Sequence, residues 1–156
     1  MSGGDVRIVV DADACPVKRE IADTARQFGV PVMLVASYDH ALVPEPGVEV
    51  RHVERGRDAV DLYISNLIRP GDIVVTQDFG LAAMALAKRA TVLSNRGQRY
   101  RNETIDFLMA SRHDQAKARR AGGRTKGPRA MTREDRMRFQ QMLTKVLQDM
   151  QDNDDR

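Results

Sequence analysis

The chain has 156 residues, of which 42% are hydrophobic and 30% are charged. This composition is that of a globular protein, and it excludes a disordered chain and an integral membrane protein. No segment approaches the ~20 consecutive apolar residues that cross a bilayer, and the first residues lack the basic and apolar regions of a secretory signal. The single cysteine, Cys15, excludes an internal disulfide. We therefore expect a cytoplasmic protein.

Charge is distributed unevenly along the chain, although the net charge is only +3. Residues 1–87 contain 8 Lys and Arg against 13 Asp and Glu, whereas residues 88–133 contain 13 against 3. An acidic first half followed by a basic segment is typical of a metal site beside a surface that binds a polyanion. A solvated helical face would give the same pattern, so charge alone leaves both interpretations open.

Short apolar strands alternate with amphipathic helices over the first 95 residues. Strands are predicted at 6–11, 30–36, 48–53, 72–76 and 91–94, and helices at 17–28, 58–68 and 81–89. Pro16 is expected in the first turn of the first helix, and Gly29 at its end. The alternation predicts a three-layer, Rossmann-like α/β fold, with helices on both faces of a mostly parallel central sheet.

The pattern changes after residue 95. A helix is predicted at 102–111, a Gly-, Arg- and Lys-rich loop at 119–130, and a final helix at 132–150, with Thr132 and Asp135 as its capping residues. One face of the final helix is apolar and is expected to pack on the domain; it comprises Phe139, Met142, Leu143, Val146 and Met150. We therefore expect one domain over residues 1–151 and a polar tail at 152–156.

Five aspartates follow predicted strands or begin the helices after them: Asp11, Asp13, Asp58, Asp61 and Asp78. Ligands bind beyond the carboxyl ends of the strands in an open parallel sheet, so these side chains can meet at one edge. Clustered carboxylates repel one another unless a cation lies between them, and oxygen ligands suit Mg²⁺ or Mn²⁺. We expect all five to bind the metal, and Asp11, Asp13 and Asp78 to be catalytic.

Helix capping is the alternative role for Asp58, Asp61 and Asp78, because aspartate is favoured at helix N-termini. Asp11 fits that role less well. It ends an apolar strand, where an unpaired carboxylate is costly, and a functional role is favoured there.

Four motifs resemble those of a known family: Asp11-Ala-Asp-Ala-Cys-Pro16, Asp58-x-x-Asp61, Gly71-Asp-Ile-Val-Val-Thr-Gln-Asp78 followed by Leu81-Ala82-Ala83, and Arg96-Gly97-x-x-Tyr100. In this order they resemble the YaiI/YqxD family of bacterial proteins, which has no assigned biochemical activity. The resemblance implies a PIN-like fold and a PIN-type acidic site at the same five aspartates. Ser94 and Thr125-Lys-Gly-Pro128 depart from the pattern, in which Asn and Thr-Gly-Gly-Pro are expected.

Other chemistry can be weighed against this site. An Asp-x-Asp sequence after a first strand also resembles the haloacid-dehalogenase phosphatases, in which Asp11 would be the nucleophile, Asp13 the general acid and Thr76 the phosphate-binding hydroxyl. Cys15 could be a nucleophile with a lowered pKa, although a packing role is favoured. The three histidines lack the spacing of a zinc site, and residues 122–127 lack that of a P-loop.

The basic segment is rich in arginine, whose planar fork suits phosphate. Arg96, Arg124 and Lys126, together with Thr76, are expected to contact the substrate. Tyr100 is the aromatic expected to stack on a base, because Phe107 is expected in the core. We therefore predict a Mg²⁺- or Mn²⁺-dependent nuclease that acts on RNA. The alternatives are a non-catalytic module that binds nucleotide or nucleic acid, and a dehalogenase-like phosphatase.

Overall fold

We describe the fold from a computed structural model, which covers residues 6–38, 42–54, 58–107, 109–110 and 130–154. One sheet contains five strands: β1 (Ile8–Asp11), β2 (Val32–Ser37), β3 (Val48–Val53), β4 (Ile73–Val75) and β5 (Thr91–Leu93). The helices are α1 (Lys18–Phe28), α2 (Ala59–Leu67), α3 (Phe79–Ala87) and a last helix, Arg133–Asp154. A short 3₁₀ turn, Ala12–Ala14, follows β1, and residues 102–107 are also helical.

The strand order is β3-β2-β1-β4-β5, and every neighbouring pair is parallel. The chain builds the sheet outward from β1 to β3, and then restarts with β4 on the other side of β1. The strand order therefore reverses between β1 and β4. In open parallel sheets this reversal leaves a crevice at the carboxyl ends of the two strands, where ligands commonly bind.

One apolar cluster lies on each face of the sheet, which explains why most of the strands are continuous apolar runs. Side chains alternate between the two faces of a strand, so Ile8 and Val10 face one side of β1 and Val9 the other. On the first side they pack with residues of α1 and the last helix, among them Ile21, Ala25, Phe139 and Leu143. On the second side Val9 packs with residues of α2 and α3, among them Val60, Ile64, Leu81 and Ala85. Helices thus cover both faces, which confirms the predicted three-layer α/β fold.

The element boundaries differ from the predicted ones by a few residues. The first helix, predicted at 17–28 with Pro16 at its first turn, begins at Lys18, because the chain first makes the Ala12–Ala14 turn. The helix α3 begins two residues earlier than predicted, since Asp78 caps it. The last helix runs to Asp154, and its predicted cap is confirmed: Asp135 N donates to Thr132 Oγ1 (3.0 Å) and Thr132 N to Asp135 Oδ2 (3.1 Å). The loop predicted at 119–130 lies outside the described residues except for its last position.

Four of the described glycines have a positive φ, which other residues rarely adopt, and two of them bear on the packing of helices. Gly29 ends α1 with φ of 66°, as predicted for a left-handed helix end. Gly97 has φ of 84°, and a Cβ there would lie 2.8 Å from the carbonyl oxygen of Arg138 in the last helix. The turn after β5 can therefore pack this closely against the last helix only because residue 97 is a glycine. Among the described helices, none has the length and apolarity needed to cross a membrane.

Candidate functional site

Asp11 lies at the carboxyl end of β1, beside the point where the strand order reverses. Thr76 follows β4, the next strand in the sheet, and its hydroxyl donates to Asp11 Oδ2 at 2.9 Å. The same hydroxyl accepts a hydrogen bond from the backbone N–H of Asp78 at 3.0 Å. Thr76 is only 1% exposed, so its hydroxyl fixes Asp11 relative to Asp78 from within the protein.

Asp78 is the N-cap of α3. Its Oδ1 atom accepts the backbone N–H of Leu81 at 2.9 Å, which confirms the capping alternative for this residue. A carboxylate has two oxygens with several acceptor sites, so a cap leaves it able to accept further bonds. Asp78 also shares a side-chain hydrogen bond with Asp61, which lies in the first turn of α2.

The environment of Asp61 disfavours a negative charge. Burial and the nearby charges of Asp78 and Asp11 raise its pKa from 3.8 to about 7, and the hydrogen bond to Asp78 and the charge of Asp58 add to the shift. Asp58 occupies the N-cap position of α2 and is exposed, but its side chain makes no capping hydrogen bond. Simple capping is therefore wrong for Asp58, whose negative charge instead helps to raise the pKa of Asp61.

Asp11 is perturbed in the same direction. Burial raises its pKa, the hydrogen bond from Thr76 opposes that shift, and the charges of Asp13 and Asp78 add to it. Asp13 lies in the turn after β1, and its Oδ1 accepts the backbone N–H of Ser37 at the end of β2 (2.9 Å). All five predicted aspartates thus belong to one electrostatically connected group, drawn from the ends of β1 and β4 and the start of α2.

Two other buried aspartates, by contrast, form ion pairs with arginine. Asp72 is 1% exposed and pairs with Arg7 at 3.1 Å, at the opposite edge of the sheet. Asp135 is equally buried and pairs with Arg96 and Arg138. In the part of the chain that the structure describes, neither Asp11 nor Asp61 forms an ion pair with a basic side chain.

Asn95 joins the loops that carry the aspartates, and the sequence analysis did not identify it. It follows β5 and is 4% exposed. Its Nδ2 donates to Ala14 O (3.0 Å) in the turn after β1, and its backbone N–H donates to Gln77 Oε1 (2.8 Å) in the loop after β4. Its Oδ1 is buried and accepts no hydrogen bond from any described group. Its position could have indicated Asn95 from the sequence, because a polar amide after β5 lies at the same edge of the sheet as the ends of β1 and β4.

The predicted aromatic roles of Tyr100 and Phe107 are wrong. Tyr100 is only 3% exposed; its ring packs edge-on against Phe79, with centroids 5.8 Å apart. Burial and the nearby charge of Asp78 raise the pKa of Tyr100 to about 12. Because its ring is buried against Phe79, Tyr100 packs beside the site and cannot stack on a base. Phe107, expected in the core, is 74% exposed.

Of the four residues predicted to contact phosphate, the structure describes Arg96 and Thr76. Arg96 Nη1 lies 3.2 Å from Asp135 Oδ2, which ties its guanidinium to the start of the last helix. Arg124 and Lys126 lie outside the described residues. Thr76 points its hydroxyl at Asp11, and its burial leaves it no solvent-facing surface for a phosphate.

Cys15 is a packing residue, as favoured from the sequence. It is 4% exposed, and burial raises its pKa to about 11, which opposes formation of a nucleophilic thiolate at neutral pH. Its carbonyl oxygen accepts from Lys18 Nζ at 2.7 Å, and Lys18 also donates to Ala12 O at 3.1 Å. Lys18 thereby closes the turn that carries Asp13.

The acidic edge suits a hard divalent cation, because most of its possible ligands are carboxylate oxygens. The raised pKa values of Asp11 and Asp61 show that their negative charges are disfavoured without a cation. In the ranges that the structure describes, no three or more His, Cys, Asp and Glu side chains stand as a ready-made metal site. A cation would therefore have to draw the carboxylates together.

Comparisons with known proteins place the chain in a family. The family model described as "Uncharacterized BCR, YaiI/YqxD family" matches residues 9–149. The UPF0178 protein BH1374 of Halalkalibacterium halodurans is 49% identical over 140 residues, which cover 90% of this chain and 89% of that protein. The UPF0178 protein Lmo1456 of Listeria monocytogenes is 45% identical over 142 residues, which cover 91% and 95%. No solved structure matches the chain. The chain belongs to the YaiI/YqxD family.

Proposed function

We propose that the acidic edge binds Mg²⁺ or Mn²⁺ and hydrolyses phosphodiester bonds in RNA. The observation that carries the proposal is the grouping of Asp11, Asp61 and Asp78 without a basic partner for Asp11 or Asp61 in the described chain. Elsewhere the same chain pairs its buried aspartates with arginine. Perturbed carboxylates at a strand-order reversal are a typical property of functional sites.

Each residue of the edge has a distinct part in this proposal. Asp11, Asp61 and Asp78 would hold the cation, with Asp13 and Asp58 beside them. When bound, such a cation lowers the pKa of water and stabilises the leaving oxygen of a phosphodiester. Thr76 orients Asp11 through its hydroxyl, and the basic segment 88–133 supplies the charge that attracts a polyanion.

A cleavage assay with mixed RNAs tests the proposal. The protein is incubated with Mn²⁺ or Mg²⁺, and its products are compared with those of Asp11→Asn. A charge-matched control is Asp149→Asn, because Asp149 is exposed on the last helix. We expect the wild type and the control to cleave, and Asp11→Asn to lose at least about 100-fold in rate, a loss typical of removing a group that acts on the transition state.

Three outcomes would count against the nuclease proposal. Cleavage that survives in Asp11→Asn would come from a contaminating enzyme. An absence of cleavage with every RNA, combined with RNA binding, would favour the non-catalytic module. Phosphatase activity on small monoesters, lost in Asp11→Asn, would favour the dehalogenase-like alternative; the burial of the Thr76 hydroxyl gives that alternative less support.

A further inference from the structure

Two aromatic rings stack on one another at the same edge of the sheet as the aspartates. Tyr38 directly follows β2, and its backbone N–H donates to Val53 O at the end of β3 (3.1 Å). Its ring stacks on that of His52, with centroids 6.1 Å apart and planes inclined by 13°. Tyr38 nevertheless remains 62% exposed. A large aromatic side chain thus lies in solvent, with one neighbouring ring stacked against it.

The backbone of Ser37 connects this pair of rings to the acidic edge. Ser37, the residue before Tyr38, donates its backbone N–H to Asp13 Oδ1 at 2.9 Å. The strands β1, β2 and β3 are consecutive neighbours in the sheet, and neighbouring strands lie ~4.8 Å apart. The rings at the ends of β2 and β3 are therefore about one to two strand spacings from the end of β1. This separation suits a flexible chain that contacts both places at once.

We propose that Tyr38, supported by His52, is a stacking platform for an unpaired base of single-stranded RNA. The inference rests on the proposed function, because it takes the acidic edge as the place where the RNA backbone is bound. Every base has an aromatic face, so a tyrosine ring binds single strands with little regard to sequence. The near-parallel stack on His52 fixes the tyrosine ring in advance, which reduces the entropy lost on binding.

The composition of the chain favours nucleic acid over another partner. The segment 88–133 contains 13 basic residues against 3 acidic ones, an excess suited to a polyanion. Phe107 is the other strongly exposed aromatic among the described residues, and it lies in the helical stretch after β5. No described contact connects Phe107 to the acidic edge, so it serves as the matched comparison.

Binding of a short labelled RNA tests the platform without any cleavage. Fluorescence anisotropy is measured in EDTA and again in Ca²⁺, with wild type, Tyr38→Ala, Tyr38→Phe and Phe107→Ala. We expect Tyr38→Ala to weaken binding about 5- to 150-fold, the range of a single base–aromatic stack, and Tyr38→Phe and Phe107→Ala to bind as the wild type does. An RNA with one abasic position should bind the wild type more weakly and lose its sensitivity to Tyr38→Ala.

The results separate this inference from the nuclease proposal. Base-dependent binding through Tyr38 without cleavage in Mn²⁺ would support the platform and contradict the nuclease. Cleavage with an unchanged dissociation constant and KM in Tyr38→Ala would overturn the platform and leave the nuclease. A loss of binding in Phe107→Ala instead of Tyr38→Ala, or no RNA binding by the wild type in either buffer, would also overturn the platform.

Discussion

Asp61 and Asp78 share a hydrogen bond between their side chains, although they come from two different helices on the same face of the sheet. A bond between two carboxyl groups requires that one of them carry the proton. Burial and the neighbouring carboxylates place that proton on Asp61, whose pKa rises to about 7. The site therefore keeps this proton up to about neutral pH, and a divalent cation could replace it.

Asp61 should make the protein less stable as pH rises. Its carboxyl group releases its proton near pH 4 in the unfolded chain but near pH 7 in the folded one, so between these values the folded state binds more protons. By linkage, this contribution to stability is complete below pH 4 and is lost as pH rises through 7. In metal-free buffer we expect Asp61→Asn to be more stable than the wild type at pH 8, with the difference vanishing near pH 4.

Urea denaturation at a series of pH values measures this difference. Asp149→Asn, at an exposed position of the last helix, is the control. A difference for Asp61→Asn that stays constant between pH 4 and pH 8 would show that the pKa of Asp61 is not raised. The account of the acidic edge would then lose its electrostatic basis.

Asp11 and Asp72 should respond in opposite ways to the same substitution. Asp72→Asn leaves Arg7, which is only 16% exposed, without its partner and should lower the free energy of unfolding by about 3–5 kcal/mol. Asp11→Asn removes a charge that burial and other carboxylates disfavour, and it can still accept the Thr76 hydroxyl. In metal-free buffer we expect its free energy of unfolding to equal or exceed that of the wild type. A loss for Asp11→Asn as large as that for Asp72→Asn would mean that Asp11 is structural.

Gly97 should tolerate alanine less well than Gly47 does. Both have nearly the same φ, 84° and 82°, so the backbone strain of a Cβ, about 1–2 kcal/mol, is common to them. A Cβ at Gly47 meets nothing within 4 Å, whereas one at Gly97 lies 2.8 Å from Arg138 O. We expect Gly97→Ala to lose about 1–3 kcal/mol more than Gly47→Ala in chemical denaturation. Equal losses would show that the last helix can shift away at no cost.

Asn95 should affect cation binding more than folding. Asn95→Ala removes the bond to Ala14 O, a net loss of about 1 kcal/mol in stability, and releases the turn that carries Asp13. Removing a group that orients metal ligands typically weakens affinity by 10-fold or more, so we expect about a 10-fold weaker Mn²⁺ affinity in calorimetry. Asn66→Ala, at an exposed position of α2, is the control. Unchanged Mn²⁺ affinity in Asn95→Ala would limit Asn95 to a structural role.

The layered fold could be predicted from the sequence because its signals are local. Strands covered on both faces must be apolar throughout, so Val9, Val10 and their equivalents in β4 are recognisable from their own segments. The same holds for the cap at Thr132 and Asp135, whose atoms lie three residues apart. The five aspartates were identified for a related reason: each directly follows a strand or begins a helix.

The features that were missed depend on distant parts of the chain. Asn95 meets Ala14 across 81 positions of sequence, and nothing near either residue indicates the contact. Tyr100 is buried because the chain turns back after Gly97, so that Tyr100 N donates to Val92 O and its ring reaches Phe79. The stack of Tyr38 on His52 was not predicted either, because the two rings come from neighbouring strands.

A crystal soaked in Mn²⁺ gives the most direct test that the acidic edge holds a divalent cation. Data collected at an energy where manganese scatters anomalously locate the ion independently of any model of the side chains. We predict an anomalous peak between the carboxylates of Asp11, Asp61 and Asp78, and its loss in Asp11→Asn. A fully soaked crystal with no peak at this edge, or with Asp61 and Asp78 still hydrogen bonded to each other, would contradict the account.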